Sequence, residues 1–203
     1  MVASISSELL RSLRLTLVIA AVTGLIYPFV GTGLAQLLFN HQANGSLVTQ
    51  NGQVVGSALI GQQFTSDKYF HGRPSATLNP NTSKPEPYAA DNSAGSNLAP
   101  SNQALIDRVS KDVQAARQQN GLSSDQQVPA DLVTSDFSGF DPDITEASAL
   151  LQVDRVARAR GLDSANVRAL VERHVQGRVL WIFGQPHVSV LDVNIALDSG
   201  EAA

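Results

Sequence analysis

The chain has 203 residues, with 14 Lys and Arg against 18 Asp and Glu, a net charge of −4 and a sequence pI near 5.5. That balance excludes the basic face of a nucleic-acid binder. The lack of cysteine excludes disulfides, thiolate metal sites and cysteine nucleophiles, and 5% aromatic residues argue against stacking platforms for bases or sugars.

The first predicted element is a membrane helix over 15–39, LTLVIAAVTGLIYPFVGTGLAQLLF, which carries no charge and follows Arg11 and Arg14. At about 1.5 Å per residue such a helix exceeds the roughly 30 Å hydrocarbon core of a bilayer, so it can span with some tilt. The two arginines place residues 1–14 in the cytoplasm and residues 40–203 outside it, as a periplasmic domain on a single-pass inner-membrane anchor. The rival reading is a cleaved secretory signal ending near Gly33-Leu34-Ala35. The apolar run is longer than an h-region of about 7–15 residues and holds Tyr27-Pro28-Phe29, which favours retention. Thr16, Ala20 and Gly24 repeat at intervals of four, and Gly31 and Ala35 renew the pattern beyond Pro28. Small residues in a row let a second membrane helix approach closely, although Gly and Pro are also simply common in such helices. Pro28 removes one backbone bond and is expected to kink the helix.

Asn51-Gly52 sits between apolar runs, the strongest short hairpin signal, with strands expected at 47–50 and 53–60. Residues 64–76, FTSDKYFHGRPSA, mix aromatic and charged side chains. Residues 77–100 hold Pro80, Pro85, Pro87 and Pro100 among Asn, Ser and Thr, a composition for a long ordered loop or surface cover.

Ser101 reads as a cap for an amphipathic helix carrying Leu105, Ile106, Val109, Val113 and Ala116, stopped at Asn120-Gly121. Asp141-Pro142 reads as the start of a helix to residue 160, with Ala147, Leu150, Val153 and Ala157 on one side. Arg155, Arg158 and Arg160 lie toward its C-terminal end, and Gly161 stops it. A helix over 164–176 lines up Val167, Leu170, Val171 and His174, closed by Gly177. Two β-rich runs, 179–183 and 188–197, flank Gly184-Gln185-Pro186-His187. The expected fold class is α+β, one extracytoplasmic domain whose single sheet pairs early and late strands.

No residue pattern points to catalysis. Gly56 to Gly61 matches the spacing of a phosphate loop but puts Gln62 where lysine is required, so both glycines are better explained by a bent or closely packed strand. There is no GxSxG elbow, and none of His41, His71, His174 and His187 has a second histidine at i+4 for zinc. Asp136, Asp141, Asp143 and Glu146 lack the alternation and glycine of a calcium loop, and capping with ordinary loop charge is the better account.

Taken in order, eight short motifs carry a resemblance: the span ending TGLAQLLF; Gly52 to Ser57 with Ile60-Gly61-Gln62; Tyr69-Phe70 with Arg73-Pro74-Ser75-Ala76; Ser93 to Asn97; Val128 to Thr134; Ser138-Gly139 with Asp141 to Ile144; Gln152 with Arg155-Val156-Ala157; and Val190 to Asn194. Over nearly its whole length the chain resembles the KdpC family, the C subunits of bacterial potassium-transporting Kdp P-type ATPases. It departs from the usual family pattern at Phe137, Phe140, Asp143, Gln185 and Ser189. The resemblance implies a non-catalytic subunit that binds a potassium-channel-like subunit and a P-type ATPase subunit, with ATP and K+ handled by the complex and no cofactor of its own. The family is also credited with raising the pump's affinity for ATP, which makes Gln152 a nucleotide candidate. That sits awkwardly with an extracytoplasmic domain and leaves a structural or inlet-side role as the preferred reading. Under this resemblance the expected partner surfaces are the row Thr16, Ala20, Gly24, Pro28, Gly31, Ala35 and the segment Tyr69, Phe70, Arg73, Pro74. A tethered sensor or ligand-binding domain is the alternative, and it would need a concave pocket with convergent polar groups.

Overall fold

A computed structural model describes residues 2–202 and divides the chain into two units, Met1–Leu47 and Val48–Ala203. In the first, α1 (Val2–Ala21) passes through a π-helical turn (Val22–Ile26) into α2 (Tyr27–Leu38), followed by the short α3 (Asn40–Ala43). The widened turn lies just ahead of Pro28, where a proline ring would crowd the carbonyl four residues back. Residues Ile5–Leu38 are long and apolar enough to cross a membrane, and their side chains are almost all exposed. Gln36, near the end of that stretch, joins its amide to those of Asn40 and Asn44 beyond it.

The second unit opens with the expected hairpin, β1 (Leu47–Gln50) and β2 (Gln53–Ser57), turned by Asn51 and Gly52, both at positive φ. The strand ends at Ser57 rather than at residue 60 because the chain folds back at once, bridging Ser57 to Ile60. Both glycines of that stretch are packing glycines: a Cβ on Gly56 would strike Gln62, and one on Gly61 would sit 2.6 Å from the Asp141 carbonyl oxygen and from Tyr88.

The long polar segment contains no helix until α4 (Gln103–Asn120), which is capped by Asn102, not Ser101, through a bond from the Ala104 amide. Leu105, Val109, Val113 and Ala116 of α4 are half-buried while Ile106 faces solvent. Gly121 at φ 66° ends it, as Gly161 at φ 68° ends the next long helix. A short 3-10 turn (Ala130–Leu132) leads to β3 (Asp143–Thr145).

Helix α5 (Glu146–Arg160) starts four residues later than expected. Asp141-Pro142 is not its cap, because the next three residues pair as a strand and Thr145 takes over, its hydroxyl accepting from the Ser148 amide. The helix therefore buries Ala149, Gln152, Val153, Arg155, Val156 and Ala157 and leaves Ala147 exposed. Helix α6 (Ser164–Arg173) stops at His174, and Val175–Gln176 form β4 instead of its last turn. β5 (His187–Ser189) lies between β3 and β4, antiparallel to both, with Ile144 opposite Val188 and Val175 opposite Val188.

Three expectations fail here. The run 188–197 is a strand only to Ser189 and then becomes α7 (Val190–Asp198): the Ser189 hydroxyl caps it, and helical spacing turns Val190, Val193, Asn194 and Leu197 into the core. Tertiary packing overrides the β propensity of the valines. The run 179–183 is the exposed tip of the β4–β5 connection. The single sheet is likewise two, since the early hairpin pairs only with itself. The core fills the space among α5, α6, α7 and the three-stranded sheet and is built from Ile144, Val153, Val156, Val167, Leu170, Val171, Val188, Val193 and Phe70. The fold class remains α+β.

Candidate functional site

Phe70 reaches that core from a segment with no regular structure, and three side chains hold it there. Asn194 of α7 accepts from the Phe70 amide at 2.8 Å and donates to its carbonyl at 3.0 Å. Gln152 of α5 does the same for His71, at 2.8 and 3.1 Å. Each carboxamide supplies the donor and acceptor that a neighbouring strand would, so both residues are paired as if in a sheet.

Arg155, 4% exposed, completes the clamp. Its guanidinium donates to the carbonyls of Asp67 and Tyr69 at 2.7 and 3.0 Å, to Gln152 Oε1 at 2.6 Å and to Asn120 Oδ1 at 3.0 Å. All four acceptors are neutral oxygens, and the charge also orients the Gln152 oxygen toward His71. Arg155 is thus a buried strut at mid-helix, not a solvated cation for the helix dipole. Arg160 fills that outer role, donating to the Lys68 carbonyl and to Asp198 while lying 4.9 Å over the Tyr69 ring.

Beside the clamp lies a cavity of about 370 Å³, lined among others by Gln62, His71, Arg73, Tyr88, Asp112 and Gln119. Burial, helped by the Arg155 charge, lowers the His71 pKa against the opposing pull of the Ser66 carbonyl and Asp67. The neutral ring then donates from Nε2 to the Ser66 carbonyl at 3.0 Å and accepts at Nδ1 from Gln119 at 3.2 Å. Arg73 donates to Asp141 at 2.9 Å and to the Thr134 carbonyl at 3.4 Å. Tyr88 donates to the Arg73 carbonyl at 2.7 Å, and burial, reinforced by Asp136 and Asp141 and opposed by Arg73, pushes its phenol up to about 12.

The polar segment after Arg73 is tied down by small hydroxyls. Thr77, 1% exposed, donates to the Glu86 carbonyl and accepts from the Ala89 amide, while Ser75 donates to the Gly139 carbonyl and accepts from the Tyr88 amide. Gly139, at φ 77°, lies where a Cβ would meet Thr77 and the Ala94 carbonyl. Of the four carboxylates considered for a cation, Asp136 accepts from the Ser138 hydroxyl and from the amides of Ser138 and Gly139. These bonds lower its pKa although burial works to raise it. Asp141 pairs with Arg73, and Asp143 lies 3.7 Å from His187. Asp131, which the sequence did not single out, accepts from the Thr145 amide and from the Thr145 and Ser148 hydroxyls, fixing the start of α5.

The expected partner segment is therefore divided. Phe70 is fully buried and unavailable to a partner, Tyr69 is half-buried against Phe64 and Arg160, and Arg73 and Pro74 line the cavity. Gln152 is 1% exposed with its amide occupied by the chain itself. In the first unit, Gly24 and Gly31 have nothing within 4 Å of a would-be Cβ. Sequence reasoning missed Asn194 and Asn120. The signal was an amide inside an apolar helical stripe, hidden for Asn194 by reading its run as a strand.

The sequence profile described as KdpC: K+-transporting ATPase, c chain matches residues 9–199. A Potassium-transporting ATPase KdpC subunit of Rhodopseudomonas palustris (strain BisB18) is 51% identical over 199 residues, 96% of this chain and 98% of the relative. Its namesakes in Bradyrhizobium diazoefficiens and Sorangium cellulosum are each 50% identical, over 96% and 95% of this chain and 98% and 97% of their own lengths.

Asn194→Leu keeps the branching and heavy-atom count of the side chain but orphans the amide and carbonyl of Phe70. At about 1–3 kcal/mol for each buried unpaired group, it should lose about 2–6 kcal/mol in chemical denaturation of the full chain. His71 is held neutral, so the unfolded chain takes up its proton first. Stability is fully present above the ordinary histidine value of 6.5 and falls as pH drops from there through the lowered folded value. His71→Gln should flatten that part of the stability–pH profile relative to wild type.

Proposed function

The chain belongs to the KdpC family, and on that premise we propose that it is an accessory subunit of a potassium-transporting ATPase complex, carrying no step of ATP hydrolysis itself. The observation that carries this reading is the family match across residues 9–199, which takes in the apolar helix and the folded domain together. The chain is anchored by that helix in the inner membrane, N-terminus inside, with residues 40–203 on the far side. It binds the channel-like subunit and the P-type subunit, which handle K+ and ATP.

Two features of the domain support a scaffolding role. Its buried polar side chains, Gln152, Asn194, Arg155 and Asp131, are committed to the chain's own backbone and hydroxyls, the pattern of a rigid support. The amide of Gln152 is occupied on both edges, which favours positioning of His71 over contact with a nucleotide. In the span, the row Thr16, Ala20, Gly24 and, beyond Pro28, Gly31 and Ala35 offers a close-approach face for a neighbouring helix.

Co-purification from detergent-solubilised membranes tests the proposal. The tagged chain should bring down a channel-like subunit and a P-type ATPase subunit, and recovery of the chain alone would contradict it. Gly24→Leu, where an added Cβ has no described tertiary neighbour within 4 Å, should reduce that recovery several-fold while leaving the domain's thermal unfolding unchanged. Unchanged recovery would remove the small-residue row from the interface.

A further inference from the structure

The ten-residue connection from β4 to β5 carries Val179-Leu180-Trp181-Ile182-Phe183, and all five side chains are exposed, from 62% at Phe183 to 89% at Trp181. Among the described residues beyond the N-terminal helices it is the longest unbroken run of large exposed apolar side chains. Four further observations say what kind of surface would cover it.

The side chains are apolar all the way round the tip, whereas a groove on a protein would cover one side and leave the other wet. The donors are mostly satisfied within the loop: Val179 and Phe183 exchange bonds at 2.9 and 3.0 Å, and the Trp181 and Ile182 amides donate to the Arg178 and Val179 carbonyls, so four of the five amides are paired, with the Val179 and Phe183 carbonyls among the acceptors. Internal pairing is what an apolar medium without water demands. Leu180 and Trp181 both stand at positive φ, 52° and 60°, a strained choice for bulky side chains that holds the tryptophan at the apex. The connection itself, residues 177–186, holds one charged side chain, Arg178, while the nearest carboxylates lie outside it, at Glu172 and Asp192 in sequence and at Asp143, 3.7 Å from His187. An apolar, tryptophan-bearing tip with Arg178 beside it matches the chemistry of an anionic lipid interface.

We propose that this loop is a second membrane contact, in which Trp181 and its neighbours enter the headgroup–acyl boundary of an anionic leaflet and Arg178 lies at the phosphates. The inference rests on the anchored reading above, since the span keeps the domain beside a bilayer. The span holds the loop at high effective concentration beside the bilayer, so a contact too weak to bind by itself can form. The loop then limits how the domain can tumble on its tether.

Trp181 is the only tryptophan in the chain, so its fluorescence reports on the loop directly. The full-length protein is reconstituted into vesicles of phosphatidylcholine and phosphatidylglycerol, checked by flotation, and then titrated with bromine-labelled lipids and with acrylamide. The proposal predicts blue-shifted emission, quenching by lipids brominated near the headgroup end of the chains, and protection from acrylamide. Arg178→Glu should reduce the lipid quenching without changing thermal unfolding. Floating protein whose tryptophan emits as in water, ignores brominated lipid and is quenched freely by acrylamide would overturn the loop contact and leave the anchor standing. A blue shift that arises only when partner subunits are co-reconstituted, with no lipid quenching, would assign the loop to a protein interface and equally overturn it. Protein that fails to float would refute the anchor, and the proposal with it.

Discussion

Between Asp67 and His71 the backbone belongs to no strand, yet it is bonded almost group by group to side chains from two helices. Asn194 and Gln152 each present both edges of a carboxamide to one residue, and Arg155 gathers two carbonyls of the residues just before them. The consequence reaches beyond the segment. Phe70 can enter the core only if its own amide and carbonyl are satisfied on the way, because a buried unpaired backbone group costs about as much as burial of a small apolar side chain gains. From there the chain runs through Arg73 to the tied-down polar cover, so the clamp also decides where the cavity wall and the 77–100 segment lie.

This arrangement explains why a domain with so little sheet is nonetheless held in one shape. Its sheet strands are two to three residues long, and the early hairpin stands apart from them. Order comes instead from polar side chains that bond backbone: Thr77 and Ser75 over the cover, Asp136 inside its own turn, Asp131 at the head of α5. Fully paired buried polar groups specify one geometry, so such a network holds the surfaces of the domain in fixed positions. It also leaves few polar groups free for chemistry in the interior.

The parts that could be read in the sequence were those where the local signal and the tertiary outcome agree. Asn51-Gly52 turns the hairpin because both residues accept positive φ, and Gly121 and Gly161 end their helices for the same reason. The membrane-length helix, the packing glycines at 56 and 61 and the family resemblance were legible too. The errors came where a distant partner decides. Residues 190–198 have strand composition, but Ser189 caps them and the core takes their helical face. Thr145 displaces Asp141 as a cap because β5 recruits the intervening residues as a strand. Arg155 was grouped with Arg158 and Arg160 toward the helix C-terminus because nothing local announces the carbonyls, more than eighty residues away, that it binds. Phe70 looked available to a partner for the same reason.

Amide hydrogen exchange of the full-length protein in detergent, resolved to residues 66–72, tests the clamp most directly. Opening free energies differ across a structure, and irregular segments normally exchange at the fast end. The account predicts that the amides of Phe70 and His71 exchange as slowly as those in the middle of α5, although neither lies in a helix or strand. Exchange as fast as in the exposed turn at residues 80–84 would show that the segment is not held in this way, and the support built on it would fall.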